Sequence, residues 1–204
     1  MLPRSEAIKK EIATTETAIR KLNAKIVQKE ALLRDSDSIL NLLFETGREL
    51  ERAILQALTI LGFEAENYTD GQSEFDALFS SAEGNFLGEA EGKDKKAINV
   101  NKISQLERNI QEDFEREEVH EYAKGVLFGN AYRFTPVDER PDFFTEKCVT
   151  AAKRLKVALV RTPDLFSVCR FLIEADAPDF AAECRKKILH ADGEIVQFPI
   201  VPKN

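Results

Sequence analysis

The 204 residues suffice for one ordinary domain with an appendage, not for two full domains. Hydrophobic residues make up 43% and charged residues 32%, and no apolar run reaches the length of a bilayer span, so the composition predicts a soluble globular chain with no membrane partner. A net charge of −7 with a pI of about 5.1 argues against indiscriminate nucleic-acid binding by the whole surface.

The charge is uneven along the chain. Residues 1–34 hold eight Lys/Arg and four Asp/Glu, residues 35–92 hold two and thirteen, and the remainder holds nineteen of each. An acid-rich segment is either a solvated surface or a site that takes a cation. The first ten residues contain no apolar signal core, which predicts a cytoplasmic protein. Cys148, Cys169 and Cys184 form no C-x-x-C pair and are expected as buried thiols.

The first element is a long helix. Ile8, Ile12, Thr15, Ile19, Leu22, Ile26, Lys29 and Leu33 alternate by four and three, a heptad seam with two polar interruptions. No Gly or Pro intervenes between Ser5 and Leu33. Such a seam needs a partner helix, from a second copy (a homodimer) or from the next helix folding back. Asp35-Ser-Asp-Ser38 reads as a polar break, so residues 1–35 are expected as a coiled-coil helix and residues 36–204 as the globular domain.

A second helix is expected over Ile39–Leu61, ended by Gly62. The period then changes to two. Phe63–Tyr68 reads as a strand, Asp70-Gly71 as a hairpin turn, Ser73–Phe79 as a second strand, Ser81–Gly84 as a turn and Asn85–Gly92 as a third strand. A helix over Val100–Arg116, a strand over Ala123–Asn130, a helix around Phe143–Leu155 and a strand over Val157–Val160 follow. The last elements are helices over Pro163–Leu172 and Asp179–Leu189, and an edge strand over Ile195–Phe198. The order predicts an α/β fold, a mixed sheet flanked by helices.

Strict alternation puts Phe75, Ala77 and Phe79 on one face of the second strand, and Glu74, Asp76 and Leu78 on the other. In the third strand Leu87, Glu89, Glu91 and Lys93 share a face opposite Phe86, Gly88, Ala90 and Gly92. If these strands pair, Asp76 and the Glu89/Glu91/Lys93 row converge. Clustered like charges need compensation, and Mg2+ suits hard carboxylate oxygens. Alternating charges are otherwise the mark of a solvated strand face. His120 and His190 stand apart from any triad, and neither a Gly-rich phosphate loop, nor H-E-x-x-H, nor G-x-S-x-G is present.

A helix with Glu51 in Leu50-Glu51-Arg52-Ala53-Ile54, then Leu61-Gly62-Phe63, a strand with Asp76 and a strand with Glu-x-Glu-Gly-Lys resembles the PD-(D/E)XK nuclease superfamily. The resemblance covers about Leu42 to Leu172 and implies a restriction-endonuclease-like fold with helix, three strands, helix, strand at its core. Asp76 matches the first acid of the motif, although Phe75 replaces the frequent proline. Glu51 matches an acid carried on the first helix, Gln105 resembles a polar residue on the following helix, and Val126–Asn130 looks like the fourth core strand. Lys153, Arg154 and Arg161 are assigned no role.

The second half of the motif has two frames. Glu91-Gly92-Lys93 supplies a lysine but places glycine where a core residue belongs. Glu89-Ala90-Glu91 packs well but puts glutamate at the lysine position. By resemblance, Asp76 with Glu89 or Glu91 holds Mg2+ (or Mn2+), Lys93 stabilises the phosphate oxygens, and Glu51 completes the metal shell or aligns a second water. DNA would meet Lys93, Lys95, Lys96 and Lys102, with Gln105 beside them, unless these lysines are a solvated helix start. The expected activity is a Mg2+-dependent DNA nuclease of the bacterial restriction or phage-defence kind. The rivals are an inactive nucleic-acid-binding module on the same fold, and an adaptor built around the heptad helix. No separate specificity module is visible, which leaves room for a partner protein.

Overall fold

A computed structural model describes residues 3–69 and 74–202. The chain divides into two compact units, residues 1–38 and 39–204. Among the described residues no helix is long and apolar enough to cross a membrane.

The first unit is one helix, α1 (Pro3–Ser38). Ile8, Ile12, Ile19, Leu22, Ile26 and Leu33 are all about half exposed. The helix continues through Asp35–Ser38, the stretch expected to interrupt it. Ser and Asp cost only a few tenths of a kcal/mol inside a helix already under way, and the turn falls at Ile39–Leu40, where Ile39 enters the core of the second unit.

The expected single helix over Ile39–Leu61 is split into α2 (Asn41–Phe44) and α3 (Gly47–Ile60). Glu45 and Thr46 are extended and Gly47 has φ +56°, a conformation that glycine adopts without strain. The split is held by distant residues. Arg140 donates to the carbonyl of Leu43 (2.8 Å), Arg133 to that of Phe44 (2.6 Å) and Asn130 to that of Glu45 (2.8 Å). These satisfy carbonyls that a helix end leaves without partners.

The sheet has five strands in the order β1 (Glu64–Thr69), β2 (Glu74–Ser81), β3 (Gly84–Gly92), β4 (Lys124–Asn130) and β5 (Ala158–Arg161). β1, β2 and β3 form an antiparallel meander, and β4 and β5 continue in parallel. The parallel steps require crossovers. α4 (Asn101–Phe114) makes the first and α5 (Glu146–Leu155) the second, and α6 (Thr162–Glu174) and α7 (Pro178–His190) close the unit. The fold is therefore α/β, a mixed sheet flanked by helices. The expected turn at Asp70-Gly71 lies outside the described residues.

Two cores sandwich the sheet. Leu50, Ile54 and Leu58 of α3 join Ala77, Phe79, Phe86, Ala90, Val126, Phe128 and Val168 on one face. Ile103 and Leu106 of α4 join Cys148, Leu87, Leu127 and Leu159 on the other. The three cysteines are buried free thiols.

Two further expectations need correction. The helix near Phe143 begins at Glu146, because Phe144 bridges to Ile98 and Thr145 caps the helix by accepting from the Cys148 N–H (3.3 Å). Residues Ile195–Phe198 form no strand; Ile195 makes a single parallel bridge to Leu159, and Val196 then turns into the core.

Candidate functional site

The site is built at a fault in the sheet. β1 and β2 pair in register from Glu64↔Ser80 to Glu66↔Leu78, and resume one residue out of step at Tyr68↔Phe75. Asp76 and Ala77 together stand opposite Asn67, a β-bulge. The Asn67 amide stitches it by donating to the carbonyls of Phe75 (3.0 Å) and Asp76 (3.2 Å). The bulge corrects the alternation read from the sequence. Ala77 and Phe79 remain on the α3 side, but Phe75 packs on the α4 side, with Leu87 and in a stack on Tyr68 at 5.2 Å.

The ladder between β2 and β3 ends at Ala77↔Gly88. Beyond it the Asp76 side chain itself reaches β3, where Oδ2 accepts the N–H of Ala90 (2.9 Å). Asp76 is thereby brought to the Glu89-Ala90-Glu91 frame. Ala90 is buried in the α3-side core. Gly92 faces the start of α3, where an added Cβ would stand 2.6 Å from the Thr46 Cβ and 2.9 Å from its Cα. Glycine at 92 is thus the residue that lets α3 come close to the end of β3.

Glu89 is completely buried. Its Oε1 accepts from the Asn109 amide (2.6 Å) and its Oε2 from the Lys102 ammonium (2.9 Å). The same ammonium stands 4.0 Å from Asp76 Oδ2 and 3.8 Å from Glu91 Oε2. Lys102 Nζ thus marks the point on which three carboxylates from two strands converge. Lys93 pairs with the other oxygen of Glu91. Asp76, Glu91 and Lys102 keep about a fifth of their side-chain surface exposed, so the cluster is open to solvent although Glu89 beneath it is not.

The electrostatics report a shortage of positive charge. Glu89 is pushed up to about 7, first by burial and then by the neighbouring Asp76, with Lys102 pulling the other way. Glu51, on α3, is raised by burial and by Asp76, against Lys102. Burial disfavours the charge on Lys102, but Glu89, Asp76 and Glu91 outweigh it and raise that group. Glu51, Asp76, Glu89 and Glu91 face the two ammonium groups of Lys93 and Lys102. The carboxylates outnumber the ammonium groups, and the two carboxyls raised in consequence are Glu89 and Glu51.

The structure therefore brings Glu51, Asp76, Glu89, Glu91, Lys93 and Lys102 into one electrostatic neighbourhood. Of the residues expected to meet DNA, Lys95 and Lys96 are exposed on the loop after β3, Gln105 is half-buried on α4, and Lys102 is turned into the carboxylates. Asn109 joins the site only in the folded chain, through its hydrogen bond to Glu89. Its signal is its spacing, two turns after Lys102 on the apolar face that carries Ile103 and Leu106. A cavity of about 670 Å3 lies elsewhere, lined by Glu64, Leu78, Asn85, Arg116 and His120; the carboxylates do not border it.

The donor set can be tested against a divalent cation. All the donors are carboxylate oxygens, the hard ligands such a cation prefers, and they converge on one cationic group. Among the described residues no group of three His, Cys, Asp or Glu is placed to hold a metal ion, and the Lys102 ammonium stands where the three carboxylates converge. The donors match a divalent cation in kind, but as placed in the structure they form a cluster around an ammonium group and not a cation site. No family model matches the chain, and no curated protein matches it.

Proposed function

We propose that the second unit is a metal-dependent nuclease of the restriction-endonuclease-like, PD-(D/E)XK kind, hydrolysing phosphodiester bonds of DNA. The observation that carries the reading is the convergence of Asp76, Glu89 and Glu91 on the single ammonium of Lys102. The chain order of helix, three strands, helix and strand, with β4 parallel to β3, supports it.

In this reading Asp76, Glu89 and Glu91 hold Mg2+ or Mn2+. The bound cation supplies a water of lowered pKa and neutralises charge on the scissile phosphate. Lys102, displaced from the carboxylates, turns its ammonium to the phosphate oxygens, the role that the Glu91-Gly92-Lys93 frame would have given to Lys93. Asn109 keeps Glu89 oriented by its hydrogen bond. Glu51, with its raised pKa, is suited to take a proton from water at the cluster. Lys93, Lys95 and Lys96 meet the DNA backbone. The work of the chain is then restriction or phage defence in the cytoplasm, carried out by a homodimer held through α1.

Incubation of plasmid DNA with the protein and Mg2+ or Mn2+ tests the activity. The wild type nicks or linearises the plasmid, while Asp76→Ala and Lys102→Ala do not. A second reading, an inactive nucleic-acid-binding module, is favoured by the ammonium at the cation point and by Glu91 at the lysine position. Metal binding without cleavage would select it.

A further inference from the structure

We propose that α1 pairs with the same helix of a second copy in antiparallel orientation, with Ile8 facing Leu33, Ile12 facing Lys29, Thr15 facing Ile26 and Ile19 facing Leu22. The proposal rests on the dimer reading above and adds its polarity. The six apolar seam residues of α1 are each about half exposed, and the four-three spacing makes the seam complementary to itself in either direction. The flanking charges separate the two directions.

In a parallel, in-register pair Lys29 of one copy would stand against Lys29 of the other in the seam. The residues beside the seam would meet as Arg4 with Lys9 and as Glu11 with Glu16, both repulsive. Only Lys25 with Glu30 would attract. Like charges so placed oppose pairing.

The antiparallel pair removes each conflict. Lys9 of one copy faces Glu30 of the other, and the two-fold axis repeats that pair. Glu16 faces Asn23, and Ala18 faces Lys25, neither of which repels. Lys29 lies over Ile12 of the other copy, its aliphatic stem covering the apolar side chain and its ammonium reaching Glu11 and Glu16 there. Both polar interruptions of the seam then oppose an isoleucine instead of themselves. Sliding the helices by one heptad in either direction leaves end layers unpaired, so the stated register buries the most.

Sedimentation of the full-length protein, with cysteine cross-linking, tests this. The wild type sediments at twice 23.0 kDa. Lys9→Glu turns two attractive contacts repulsive and weakens the dimer about five-fold, and Lys9→Glu with Glu30→Lys restores it. Parallel pairing would give the opposite response to Lys9→Glu alone, because Arg4 would gain a partner. Under mild oxidation Ile8→Cys protein mixed with Leu33→Cys protein forms a cross-linked pair, and neither variant cross-links alone; the native cysteines are buried and do not compete. Self-cross-linking of Ile8→Cys would overturn the polarity while leaving the dimer reading standing. A monomer at every concentration would overturn both.

Discussion

Charging Glu89 should destabilise the metal-free protein by an amount that pH switches on. Its carboxyl is pushed up to about 7 from an ordinary 4.5 by complete burial and by Asp76. At 1.36 kcal/mol per unit, a shift of that size amounts to about 3 kcal/mol. The folded pKa lies above the unfolded one, so the folded state holds this proton more tightly. That contribution is fully present below pH 4.5 and is lost as pH rises through 7. Glu89→Gln removes the titration while keeping an oxygen for Lys102 and a similar volume. In EDTA, urea denaturation should find the variant's advantage over wild type growing by about 2–3 kcal/mol between pH 5 and pH 8.5. Saturating Mg2+ should narrow the gap at pH 8.5, because the cation neutralises the wild-type carboxylate and cannot use the amide as well. An advantage of constant size across that range would refute the assignment of the raised pKa to Glu89.

Lys102→Met deprives Glu89 of its charged partner, and an uncompensated buried charge costs about 3–5 kcal/mol. The loss should show in urea denaturation at pH 8, fade toward pH 5 as Glu89 protonates, and be accompanied by loss of plasmid cleavage. Gly92→Ala drives a methyl into Thr46 and should cost about 1–3 kcal/mol in the same assay, with Gly92→Ala/Thr46→Gly recovering only part of it because the backbone Cα of residue 46 stays 2.9 Å from the new methyl. Asn67→Ala removes two hydrogen bonds from the bulge. It should cost about 1 kcal/mol in stability, while divalent-cation affinity falls at least ten-fold because Asp76 is no longer held toward β3.

The sequence made some of this legible and concealed the rest for identifiable reasons. Period-two alternation located β2 and β3, and the carboxylates at 76, 89 and 91 could be placed together because strand neighbours are read from local spacing. The bulge escaped, since it arises where β1 pairs with β2 and nothing in Glu74–Phe79 alone announces the slip. It left Asp76 at the site and carried Phe75 to the opposite core. In the sequence Lys102 is one of a run of lysines after the carboxylates. Its target depends on how α4 packs over β3, a tertiary fact, and the same packing brings Asn109 onto Glu89. The break between α2 and α3 escaped because the groups that cap it, Asn130, Arg133 and Arg140, lie some ninety residues downstream.

The convergence of Asp76, Glu89 and Glu91 on one cationic point is tested most directly by titrating metal-free protein with Mn2+ at pH 8, followed by electron paramagnetic resonance. Saturable binding that weakens as pH falls below 7 and disappears in Asp76→Ala is the predicted result. Absence of saturable binding, or binding that Asp76→Ala leaves intact, would contradict the account.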